Sequence, residues 1–86
     1  MELRAEFTVE PFRVGSPGPH VDAAIEAARA AGLEPDVGPF ATSIAGAAEV
    51  VLDAVRVLSG AAIAAGATRV SLVIESGPVS GPGSRG

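Results

Sequence analysis

Two hydroxyls stand side by side in the stretch VGPFATSIAG, at Thr42 and Ser43, between two alanine-rich segments. Either they belong to a plain strand-turn-strand connection, or they meet a ligand. The carboxylates are the next groups able to do chemistry. Glu6 and Glu10 share one side of an alternating stretch, and residues four apart on a strand lie about 13 Å from each other. That is too far for one acid–base pair within a chain. Glu75 has the face parity of Ser71 and Val73, and is expected to approach the first strand near one of these glutamates. His20 is the only histidine and sits beside Pro19 at a helix start. It reads as a solvated first-turn residue. No second strong ligand stands at metal spacing, so no metal site is expected. No nucleophile–base–orienter trio is readable, so no catalysis is expected. GSPGPH precedes a helix but has neither the P-loop nor the dinucleotide glycine spacing, and reads as an ordinary loop without a bound cofactor.

The elements that must position these groups follow from periodicity. Residues 2–10, ELRAEFTVE, alternate: Leu3, Ala5, Phe7 and Val9 on one side, Glu2, Arg4, Glu6, Thr8 and Glu10 on the other. That predicts a strand with one face in the core. Residues 19–31 carry a helical stripe at Val21, Ala24, Ile25, Ala28 and Ala31, with Gly32 as the stop. Residues 33–38 read as a short strand, an edge strand because Pro35 lacks a ladder donor. Residues 40–45 resume as a strand that Gly46 ends. The second helix covers about 47–65, with Val51, Val55, Leu58, Ala62 and Ala65 facing in; Gly60 within it allows close packing on the sheet. Residues 69–75 form the last strand, with Val70, Leu72 and Ile74 inward. Both helices exit through the same Ala-Ala-Gly.

The order β-α-β-β-α-β is the split βαβ, ferredoxin-like arrangement. It is an α+β sandwich: a four-stranded antiparallel sheet with two helices on one face. The other face is bare, and the charged side of the first strand lies on it. Residues 1–76 make a single such domain, and 77–86 a disordered Gly/Pro/Ser tail. On the third strand Phe40, Thr42 and Ile44 share one side and Ala41, Ser43 and Ala45 the other. Periodicity does not decide which side meets the helices.

Composition narrows the function classes. The 86 residues carry a net charge of −4, three Phe, no Trp, no Tyr and no cysteine. An acidic chain with few aromatics argues against nucleic acid, which needs cations for phosphates and rings for bases. The apolar stretch 47–66 is broken by Glu49, Asp53 and Arg56, so no membrane span is expected. Absent cysteine and the lack of a signal-like apolar run in MELRAEFTVE fit the cytoplasm. A core built largely of alanine supplies little transfer energy, and a partner subunit is expected to cover part of the apolar surface.

AEFTVEPF (5–12), AAGLEPDVGPFATSIAG (30–46) and AGATRVSLVIE (65–75) together resemble the small thiamine-binding-protein family. The resemblance spans about residues 3–75. It implies non-catalytic binding of thiamine or its hydroxymethylpyrimidine part, for sequestration or delivery. It also implies homodimers that join sheets, or homotetramers that pair bare faces. The pyrimidine pocket would lie among the open sheet faces and the segment between strands two and three. Carried over by position, its residues are Glu6, Thr8, Pro39, Phe40 and Thr42; Ser43, the second hydroxyl, joins them as a candidate. The family often has an acidic residue before the closing glycine, where this chain has Ala45-Gly46. That departure supports an alternative: an oligomeric assembly module with no small-molecule ligand.

Overall fold

The first strand, β1 (Glu2–Glu10), has strict alternation of burial: Leu3, Ala5, Phe7 and Val9 are at most 5% exposed, while the residues between them are half-buried. A computed structural model, which describes residues 1–11 and 18–77, places this strand at the centre of the fold. The remaining elements are α1 (Pro19–Ala30), β2 (Asp36–Val37), β3 (Thr42–Ala47), α2 (Ala48–Ala64) and β4 (Arg69–Ser76). The sheet order is β2-β3-β1-β4 with every neighbouring pair antiparallel. The predicted ferredoxin-like α+β fold is therefore the observed one.

The helices pack on each other and on one face of the sheet, because their apolar stripes need a shared cover. α1 contributes Ala24 and Ala28; α2 contributes Val51, Ala54, Leu58 and Ala62; β3 contributes Ile44. Ile44, Leu58 and Val51 are the largest fully buried side chains. Each is worth roughly 1.5–3 kcal/mol relative to exposure. The predicted stripes hold at their centres, with Val21, Ile25, Ala31, Val55 and Ala65 half-buried at the margins.

The repeated Ala-Ala-Gly is a Schellman ending both times. Gly32 N–H bonds the Arg29 carbonyl and Leu33 N–H the Ala28 carbonyl. Gly66 N–H bonds Ile63 and Ala67 N–H bonds Ala62 in the same pattern. The residue after the last helical alanine must be left-handed, and Gly32 (φ +94°) and Gly66 (φ +112°) supply it.

Several boundaries differ from the sequence expectation. The strand predicted over 33–38 shrinks to Asp36–Val37, since Pro35 gives no donor and instead buries its ring. The strand predicted over 40–45 runs over 42–47. A turn closed by Gly38 N–H to the Ala41 carbonyl (2.9 Å) takes up Pro39 and Phe40 first. Gly46 does not end β3; it lies inside the strand, where a Cβ would meet Leu33 Cδ2 at 3.1 Å. Gly60 is exposed, and a Cβ there would meet nothing within 4 Å, so close packing is not its role. His20 is only 8% exposed rather than solvated, and its Nε2 donates to the Pro11 carbonyl. The predicted tail lies outside the described residues beyond Gly77, as do residues 15–17 of GSPGPH. No helix among the described residues is long and apolar enough to cross a membrane.

These packing roles separate in urea. Leu58→Ala should lower unfolding free energy by about 2–5 kcal/mol, the range for a truncated buried leucine. Gly60→Ala should raise it by about 0.5–1 kcal/mol, because the site is helical, open and unconstrained. A Gly60→Ala variant less stable than the wild type would show that the glycine is needed for shape.

Candidate functional site

The face opposite the helices is built by register. Directly opposed residues of antiparallel strands point to the same side. β1 sets Arg4 between Ala45 of β3 and Glu75 of β4, and Glu6 between Ser43 and Val73. Thr8 lies beside Ser71, and Glu10 beside Arg69. β2 adds Asp36 next to Ser43. The open face thus has a half-buried centre of Arg4, Glu6, Thr8 and Ser43, flanked by exposed residues of the outer strands.

Two side-chain interactions organise it. Arg4 Nη2 donates to Ser43 Oγ at 3.0 Å across the β1–β3 pair. Arg69 Nε lies 4.0 Å from Glu10 Oε1 at the rim. The latter is largely exposed and contributes little to stability. The first leaves the Ser43 hydroxyl hydrogen free to donate, with the Glu6 carboxylate on the neighbouring strand position. Glu75 stands opposite Arg4 rather than a glutamate, so the face alternates in charge instead of pairing carboxylates.

The predicted site residues fall into separate groups. Glu6, Thr8 and Ser43 share the open face. Pro39 and Phe40 sit in the β2–β3 turn, with Phe40 82% exposed. This turn lies at the end of the sheet where β1 finishes, since β3 begins opposite Phe7. Thr42 does not join them. It pairs with Phe7 and is 7% exposed, so its side chain lies on the helix side with Ile44. The bulkier residues of β3 turn inward to fill the core, and the small set Ser43 and Ala45 is left on the open face. Arg4 was not among the predicted site residues. Its parity with Glu6 was readable, but its contact to Ser43 joins positions 39 apart and depends on strand register.

The arrangement offers a carboxylate, two hydroxyls, a guanidinium and one exposed ring. It can recognise a small heterocycle with donors and acceptors. Among the described residues no group of three His, Cys, Asp or Glu comes together to hold a metal.

A family model described as thiamine-binding protein matches residues 5–77. No curated protein matches the chain. Among solved structures, a domain of unknown function from Bacillus cereus is 31% identical, with TM-score 0.69; 94% of this chain and 81% of that one are covered. A Thermotoga maritima protein assigned provisionally to thiamine biosynthesis or salvage is 26% identical, with TM-score 0.63 and coverage of 87% and 81%. A Streptococcus pneumoniae protein at 20% identity has TM-score 0.73 over 92% of this chain and 90% of that one, a likeness of fold.

The two hydroxyls can be told apart by charge insertion. Thr42→Arg should cost more than about 2 kcal/mol, since it overpacks the core and buries a charge. Ser43→Arg should cost about 1 kcal/mol, since it loses the Arg4 hydrogen bond but keeps its charge in water. Urea midpoints of both variants check this; equal losses would place both residues in the core.

Proposed function

Because this chain belongs to the thiamine-binding protein family, we propose that it is a non-catalytic, cytoplasmic homo-oligomer that binds thiamine or its hydroxymethylpyrimidine part. Its role would be to sequester or deliver the vitamin. A thiamine-related binding role is the level that the family and the Thermotoga maritima neighbour support together. The observation that carries the finer reading is the open face, where Glu6 lies beside Ser43, and Ser43 is held by Arg4.

An aminopyrimidine presents ring nitrogens as acceptors and an exocyclic amine as donor. In this reading the Ser43 hydroxyl donates to a ring nitrogen, and the Glu6 carboxylate accepts from the amine. Thr8 supplies a second hydroxyl along the same strand. Phe40, exposed in the turn next to Pro39, offers a ring face for stacking. Thr42 supports the site from the helix side and makes no ligand contact. The thiazolium of thiamine is cationic and suits an acidic chain. An assembly module without a small ligand is the second reading, favoured by Ala45 and by the exposed apolar edge of β4.

Thermal unfolding with ligand present tests the proposal. Thiamine or hydroxymethylpyrimidine at about 100 times its dissociation constant should add roughly 2.7 kcal/mol. For a domain of this size that raises Tm on the order of 10 °C. Glu6→Gln and Ser43→Ala should each lose most of that shift while the unliganded Tm holds. No shift with either compound, in a well-folded oligomer, would leave the assembly module.

A further inference from the structure

The Arg4 guanidinium is the cation at the half-buried centre of the open face. It presents several N–H donors in a rigid fork. Among the described residues its side-chain hydrogen bond goes to a neutral group, the Ser43 hydroxyl at 3.0 Å. Glu75 stands across from it on β4, yet among the described residues no carboxylate lies within 4.0 Å of the guanidinium. On the β3 side it faces Ala45, which is exposed and ends in a methyl group, so there is room beside the fork. A partly desolvated guanidinium is best satisfied by an anion that takes parallel N–H bonds, a carboxylate or a phosphate. The chain itself leaves that place to another molecule.

We propose that Arg4 binds an anionic arm of the ligand, so that the site prefers the phosphate monoester of hydroxymethylpyrimidine to the free alcohol and to thiamine. This rests on the functional reading above, which sets the pyrimidine amine at Glu6. Arg4 and Glu6 are two residues apart on one face of β1, about 6.6 Å along the strand. In the pyrimidine, the exocyclic amine and the methylene arm leave neighbouring ring carbons. With the amine on Glu6, the arm runs along β1 toward Arg4 or toward Thr8. Phosphate oxygens gain parallel charge-assisted bonds from a guanidinium and only one bond from a hydroxyl, so a phosphorylated arm selects the Arg4 end.

The same methylene carbon decides against thiamine. There it carries the thiazolium, a cation that the guanidinium repels. In the ester it carries a phosphate with about two negative charges near neutral pH. The net charge of −4 draws cations to the chain from a distance. Selection within the site is set by the group in contact, and that group is Arg4. Glu75 is the competing anion; it is exposed, so water and salt screen its attraction.

Calorimetry with hydroxymethylpyrimidine, its phosphate monoester, thiamine and inorganic phosphate tests this. The ester should bind at least about tenfold more tightly than the alcohol, and thiamine more weakly than either. Arg4→Gln retains an N–H donor but no charge, and should close the gap between ester and alcohol. Ser43→Ala should weaken both by the same factor and keep the gap. An Arg4→Gln variant that also weakens both equally would show that Arg4 only holds Ser43, and would overturn the proposal. Inorganic phosphate as tight as the ester would separate the anion from the ring and overturn it too. Should Arg4→Gln not fold, the exposed Glu75 supplies the second variant. Glu75→Gln removes the competing carboxylate and should widen the gap; a gap unchanged or narrower counts against Arg4 as the anion's partner. Alcohol or thiamine bound with no gain for the ester sinks this proposal alone. No heat with any of the pyrimidines sinks the functional reading and this proposal with it.

Discussion

Alanine contact between the two helices is the constraint on which the rest of the structure depends. Ala24 and Ala28 of α1, with Ala54 and Ala62 of α2, are fully buried. Side chains this small let helix axes approach at the short end of the usual 8–10 Å range. The two helices form one layer over the sheet. It seals β1 and Ile44 of β3, but it leaves Leu72 and Ile74 on the margin, on the correct side of the sheet and yet substantially exposed.

β1 carries that constraint to the open face. It is bonded on both sides, so its period-two alternation is imposed on both neighbours. Apolar residues go under the helices, and Arg4, Glu6, Thr8 and Glu10 go to the open face. Position on β1 then determines which residues of β3 and β4 can cooperate with them. Ser43 meets Arg4 and Glu6 because of this register, and Thr42 is excluded by the same register. A slip of β3 by one residue would exchange the roles of the two hydroxyls and turn Ser43 toward the helices.

What was legible in the sequence tracks how local its cause is. The alternation of β1, the stripes of the helices and both Ala-Ala-Gly exits depend on neighbouring residues, and they were readable. The start of β3 was misplaced because the Gly38–Ala41 hydrogen bond absorbs Pro39 and Phe40 into a turn, and their apolar character resembles that of a strand. The facing of Thr42 was undetermined because Phe40, Thr42 and Ile44 could fill a core or an interface equally well. Only pairing with Phe7 decides between them. Arg4 was missed as a site residue for a related reason: charged residues on an open strand look alike until the opposite strand is known. The burial of His20 is not legible in the sequence, because nothing near it shows that the Pro11 carbonyl is its partner.

The open face and the free edge meet along β4, and this gives the residues of that strand two duties. Its helix-side positions, Val70, Leu72 and Ile74, are apolar; its open-face positions, Arg69, Ser71, Val73 and Glu75, are mixed. A strand that only capped the sheet could be polar throughout at its exposed positions, with no loss of core. This one keeps apolar residues where they are left partly in water and keeps opposite charges at its two ends. The apolar residues cost solubility where they are left in water, whereas the charges at the two ends favour it.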